Sequence, residues 1–176
     1  PEYKMAYRVI ADHIRTVTFA IADGATFSNE GRGYVLRRVL RRAVRYGIKL
    51  GIADSFMYKL VQVVADNMKA YYPYVEDKVA LISKLVKTEE ESFHTTLANG
   101  ENLLNTALKE HADTKQLPGN VVFKLYDTYG FPKELTIEIA EDAGYTVDLE
   151  GFNAEMQAQK QRARDARSAE QSMGSQ

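Results

Sequence analysis

Apolar residues fall at Tyr7, Ile10, Ile14, Val17 and Ile21, the alternating three- and four-residue spacing of a helix with one buried stripe. Gly24 is placed to stop this helix, because glycine enters the left-handed conformation without steric cost. Phe19 lies on the other side of the wheel, so the helix is expected to be covered from two directions. A polar, glycine-punctuated loop spans residues 25–33. Leu36, Val39, Leu40, Ala43 and Val44 then mark the core face of a second helix running to about Tyr46, where Gly47 and Gly51 are expected to end it. Asp54 or Ser55 can cap a third helix with the stripe Met57, Leu60, Val61, Val64 and Met68, and Pro73 separates it from the next segment of the chain.

Between residues 75 and 111 there is no proline and a single glycine, Gly100. Val79, Ile82, Val86, Phe93, Leu97, Leu104 and Ala107 keep a near-heptad seam, which predicts one long helix with Gly100 as its only breaking point. Glu89, Glu90 and Glu91 interrupt the seam, favouring a packed bundle helix over an extended coiled coil. Residues 117–120 read as a turn, 121–129 as a short helix ended by Gly130, and Phe131-Pro132 as the opening of another with proline at its first position. Leu135 and Ile139 give that helix its buried face and Gly144 closes it; Asp148 can cap a last helix containing Phe152 and Met156. Past Gln159 the apolar residues are almost all alanine, and residues 168–176 are expected to be a frayed or disordered tail. No internal repeat or alternating strand pattern is present. The expectation is an all-α, multihelical array with one long helix, a single domain over residues 1–167 and the tail beyond it.

Composition narrows the function classes. The 176 residues contain no cysteine, which excludes disulfides and thiolate metal sites, and no apolar run reaches the roughly 20 residues a membrane span needs. No signal-peptide layout is visible at the N-terminus, so a soluble, cytoplasmic setting is expected. His13, His94 and His111 show no metal-ligand spacing, and no phosphate-cradling loop, nucleophile elbow or catalytic cysteine occurs. The net charge of −1 hides an asymmetry. Residues 1–51 hold ten basic against four acidic side chains, a net of +6; the remainder holds 13 against 20, a net of −7.

The basic excess is concentrated on the second helix. Arg37, Arg38, Arg41, Arg42 and Arg45 fall within roughly 140° of its wheel, opposite the core stripe. No Asp or Glu lies between Glu30 and Asp54, so these cations lack acidic neighbours on their own helix. Such a face can hold phosphates in bidentate hydrogen bonds, and Asn29 in the loop ahead of it could reach base edges. The competing reading is a solvated or protein-packed face compensated by the distant Glu89–Glu91 cluster. Asp127 is a second unusual residue, a carboxylate at a helix C-terminus, where the dipole disfavours it by about 0.3–1 kcal/mol. From its local pattern, a hydrogen bond to a tyrosine or arginine of the same chain is the plainer explanation.

Several blocks carry a family resemblance: Tyr7-Arg8-Val9-Ile10-Ala11-Asp12-His13-Ile14-Arg15, Ser28-Asn29-Glu30-Gly31-Arg32-Gly33 with the helix after it, and Phe123-Lys124-Leu125-Tyr126-Asp127-Thr128-Tyr129-Gly130-Phe131-Pro132. Val147-Asp148, Gly151-Phe152 and Arg162-Ala163-Arg164 come after them in order. Together they resemble the helical middle region that follows the class II aminoacylation domain in bacterial-type alanyl-tRNA synthetases. Phe27 and Lys133 depart from the family's usual proline and apolar residue at those points.

The resemblance implies a tRNA-binding domain that recognises the acceptor stem of alanine tRNA through a G·U wobble pair. It assigns base reading to Asn29 and Asp127, and it leaves the stem backbone to Arg32, Arg37, Arg38, Arg41, Arg42 and Arg45. It implies partners in the aminoacylation and editing domains of the same enzyme, with ATP and Mg used by the former and zinc held by the latter. No cofactor or metal is expected in the present chain, which has none of those domains' motifs and is expected to be catalytically inactive alone. The alternative is a helical protein-protein or interdomain scaffold with no RNA reading of its own.

Overall fold

The computed structural model describes residues 2–175. The chain divides into two compact units, Pro1–His94 and Thr95–Gln176. The all-α expectation holds: among the described residues there are seven α-helices, one short 3-10 helix and two strands of two residues each.

The first unit contains α1 (Glu2–Ala22), α2 (Gly31–Lys49), α3 (Met57–Met68), the 3-10 helix Pro73–Lys78 and the first part of α4 (Val79–Glu110). Ile10, Ile14, Val17 and Ile21 of α1 pack with Leu36, Leu40 and Val44 of α2 and with Met57 and Val61 of α3. Phe19 makes a T-shaped contact with Tyr72 at 5.3 Å, so α1 is covered on its second side as well. Its end is closed by Gly24 at φ +103°, and Lys78 Nζ donates to the Ala22 carbonyl at 2.6 Å, a cation on a helix C-terminus.

Helix α2 departs from expectation at both ends. It begins at Gly31, inside the expected loop, and continues through Gly47 to Lys49. Gly47 does not terminate it; it is buried there because the Phe56 ring lies on the helix, with ring atoms only 2.4 Å from where a Cβ would sit. Termination falls to Gly51 at φ +87°. Neither Asp54 nor Ser55 caps α3. Its cap comes from α4: the backbone N–H groups of Phe56 and Tyr58 each donate at 3.0 Å to the two carboxylate oxygens of Glu90, which is 0% exposed.

In the second unit, α4 runs unbroken through Gly100, which is buried against the Phe131 ring. After it come β1 (Gln116–Leu117), α5 (Gly119–Asp127), α6 (Lys133–Asp142), β2 (Thr146–Val147) and α7 (Leu149–Gly174). The strands pair in parallel, Gln116 with Thr146 and Leu117 with Val147. Two-residue strands are too short to leave an alternating pattern. Gly119 and Gly151 let α5 meet α7 backbone to backbone, since a Cβ on Gly119 would lie 2.3 Å from the Phe152 nitrogen. Pro132 stands one residue ahead of α6 rather than at its first helical position. Asp148 caps α7 as expected, accepting from Gly151 N at 3.0 Å.

Residues 168–174 continue α7 where the composition suggests fraying. Every described side chain past Lys160 is exposed, so tertiary support is indeed gone. Strong helix formers and the i,i+4 hydrogen bond from Gln161 to Asp165 sustain the backbone instead. Among the described residues, no helix is long and apolar enough to cross a membrane.

Candidate nucleic-acid interface

The loop before α2 is built around contacts only glycine permits. Ser28 Oγ donates to the Glu30 carbonyl at 2.7 Å, tightening the turn, and Gly31 takes φ +65° as the helix begins. A side chain at Gly33 would meet the Thr26 carbonyl at 2.4 Å, so the loop can lie against the first helical turn only with glycine there. An open cleft of about 510 Å³ results, lined by Asp23, Ser28, Glu30, Arg32 and Gly33 among others. Asn29 is exposed at the crest of this loop.

The arginines of α2 do not form one uniform cationic face. Arg37 and Arg41 turn toward α4, with their side chains only 19% and 14% exposed. Arg37 Nε stands 2.7 Å from Glu89 Oε1 and Arg41 Nη2 stands 3.6 Å from the same oxygen. The Arg37 Nε–H does not point along its contact, so the pair is held by charge rather than by a well-formed hydrogen bond. Arg41 also lies over the buried Phe93 ring, 5.1 Å from its centroid. Burial pushes its pKa below the ordinary value, opposed by Glu89 and reinforced by Arg37. Arg45 is buried, at 9% exposure. Arg32, Arg38 and Arg42 are exposed, with Arg42 resting over the Tyr46 ring at 5.8 Å. The six arginines singled out in the sequence thus separate into three that reach solvent and three that are embedded in protein. The Glu89–Glu91 cluster partly supplies the compensation the sequence left open.

Arg37 also reaches back to the loop, where its Nη1 donates to Asn29 Oδ1 at 2.6 Å. This links the loop crest to α4 through three side chains. In the second unit, Asp127 is exposed in the last turn of α5, and its Oδ1 accepts from Gln159 Nε2 of α7 at 2.7 Å. The partner is neither a tyrosine nor an arginine. Tyr126 beside it packs edge-on against Phe152 of α7 at 5.9 Å, fixing the end of α5. Gln159 left no signal in the sequence, and Glu90 stood there only as part of an acidic run with nothing to mark it as a cap, because their partners lie 32 or more positions away. Glu89 was visible only as one member of an acidic run.

Relatives bear directly on this arrangement. A model of the family "tRNA synthetases class II (A)" matches residues 1–176. The chain is 57% identical over 176 residues to an alanine–tRNA ligase of Enterococcus faecalis (strain ATCC 700802 / V583), a match covering 99% of this chain and 20% of that protein. It is 57% identical over 173 residues to alanine–tRNA ligases of Staphylococcus aureus strains JH9 and Newman, covering 98% of this chain and 20% of each. The chain therefore spans about one fifth of the length of the curated relatives it matches.

Proposed function

The chain belongs to the class II (A) tRNA synthetase family, and on that premise we propose that it is the part of an alanine–tRNA ligase that selects the acceptor stem of alanine tRNA by its G·U wobble pair. A wobble pair leaves the guanine 2-amino group without a pairing partner in the minor groove, which in A-form RNA is wide and shallow enough for side chains. A carboxylate is acceptor-only, so Asp127 suits that amine, while the Asn29 amide can donate to an acceptor of the stem. A Watson–Crick G·C pair uses the same amine internally. Arg32, Arg38 and Arg42, which reach solvent, hold the stem's phosphates, fixing register without reading sequence. Arg37, Arg41 and Arg45 serve the fold beneath them.

The 57% identity to alanine–tRNA ligases along nearly the whole chain is the observation that most supports this reading. Alanine activation with ATP and Mg is assigned to the aminoacylation part of the enzyme and zinc to its editing part, in the cytoplasm, with this chain contributing binding and selection. The test compares RNA stem-loops carrying G·U or G·C at the critical position. Asn29→Ala and Asp127→Ala should reduce the preference for G·U. Arg42→Ala should weaken both RNAs alike and lower the salt slope by about one unit. An unchanged G·U preference in both Asn29→Ala and Asp127→Ala would refute the assignment. Incubated with ATP, alanine and tRNA, the chain should give no aminoacyl-tRNA; turnover would assign chemistry to it.

A further inference from the structure

Glu89, Arg37 and Asn29 form a line of contacts from α4 to the loop crest: Glu89 Oε1 to Arg37 Nε at 2.7 Å, then Arg37 Nη1 to Asn29 Oδ1 at 2.6 Å. We infer that Glu89 and Arg37 are positioning residues that lock the Asn29 carboxamide in one orientation, so that it meets RNA as a hydrogen-bond donor. The inference rests on the base-reading role of Asn29 given above.

The chemistry of the partners fixes the orientation. A guanidinium carries five N–H donors and no acceptor, so whatever faces Arg37 Nη1 must be the amide oxygen. The amide NH2 of the exposed Asn29 is therefore the end left to meet a ligand, and its complement is an acceptor: a uracil carbonyl, a purine ring nitrogen or a ribose oxygen. An unheld carboxamide on a loop would rotate and offer either end, blurring the choice between bases that differ in one donor or acceptor. Arg37 can impose the orientation because it is itself immobilised. Its side chain is 19% exposed, its charge is matched by Glu89 at 11% exposure, and Arg41 approaches the same carboxylate oxygen from the next turn of α2. Glu89 thus acts on RNA selection without touching RNA. Arg37, which a helical wheel groups with the phosphate contacts, serves specificity instead of charge neutralisation.

The test uses the 176-residue chain with the G·U and G·C stem-loops, each variant first checked for folding by circular dichroism. Glu89→Gln and Arg37→Lys should each shrink the G·U over G·C affinity ratio by roughly three- to tenfold, the worth of one misplaced hydrogen bond. Affinity for the G·C stem and the salt slope should stay unchanged, which a general loss of structure would not produce. Asn29→Asp keeps the oxygen for Arg37 but has no donor, and it should lose the preference as fully as Asn29→Ala. Combining Glu89→Gln with Asn29→Ala should cost nothing beyond Asn29→Ala alone. In the free protein, the Asn29 side-chain amide resonances should shift in Glu89→Gln and Arg37→Lys. If Asn29→Ala abolishes the preference while Glu89→Gln and Arg37→Lys preserve it, the positioning role is overturned and the base-reading role stands. If the wild-type chain shows no G·U preference, both fall.

Discussion

Removing Glu90 tests whether one buried carboxylate on α4 holds the start of α3. Its two oxygens accept the N–H groups of Phe56 and Tyr58 at 3.0 Å, and the side chain is 0% exposed. Glu90→Ala strands two amide donors in a site closed to water, each worth about 1–3 kcal/mol. It also removes one buried methylene, worth about 0.8 kcal/mol. Against this, the desolvation of the carboxylate is relieved, and that desolvation is substantial: burial raises the Glu90 pKa above its ordinary value despite the opposing backbone hydrogen bonds. The net expectation is a loss of about 2–4 kcal/mol, against less than about 1 kcal/mol for Glu91→Ala at an exposed position one residue on. Urea denaturation followed by circular dichroism measures both, and amide exchange at Phe56 and Tyr58 localises the effect. A raised folded pKa means the folded state holds the proton more tightly, so the stability this group contributes is greatest below its unfolded pKa and declines as pH rises through the folded value. The gap between wild type and Glu90→Gln should therefore narrow as pH climbs above about 4.5. Equal cost for Glu90→Ala and Glu91→Ala, with unaltered exchange at Phe56 and Tyr58, would refute the cap.

Three more substitutions have outcomes set by the geometry. Gly119→Ala places a Cβ 2.3 Å from the Phe152 nitrogen, where neither backbone can yield, and should lower stability by about 3 kcal/mol or more in a thermal melt. Gly47→Ala meets the Phe56 ring at 2.4 Å and should cost about 1–3 kcal/mol, with part recovered by adding Phe56→Leu. Gln159→Ala frees Asp127 from its 2.7 Å hydrogen bond and should reduce G·U preference about threefold in stem-loop titrations while leaving the melting temperature within a degree or two.

Local periodicity and backbone chemistry made part of this fold legible in the sequence. The α1 stripe from Ile10 to Ile21, the α3 stripe, the Asp148 cap and the stops at Gly24, Gly130 and Gly144 are present, the three glycines at positive φ; Tyr7, which the spacing groups with the α1 stripe, is instead exposed at 64%. The features that stayed hidden depend on partners distant in the chain. Gly47 resembles a terminator until the Phe56 ring is seen lying on it, and the polar residues ahead of α3 resemble its cap until Glu90 is seen supplying it from α4. The arginine wheel places five cations on one side of α2 correctly. It cannot say that Glu89 draws Arg37 and Arg41 inward, because that acid lies more than forty positions away. Asn29 and Asp127 stood out locally, one in the loop ahead of the arginines and the other as a carboxylate at a helix end, but their pairing as candidate readers came only through the family resemblance. Their supports, Arg37 for Asn29 and Gln159 for Asp127, became visible only in three dimensions.

The claim that this chain reads a wobble guanine through its exposed amine is tested most directly by removing that amine alone. Two stem-loops identical except for inosine in place of guanine in the wobble pair differ by the 2-amino group and nothing else. Titrated against the wild-type chain, the G·U stem should bind roughly tenfold more tightly than the I·U stem, the discrimination expected of one good base contact. Equal affinities would contradict the account.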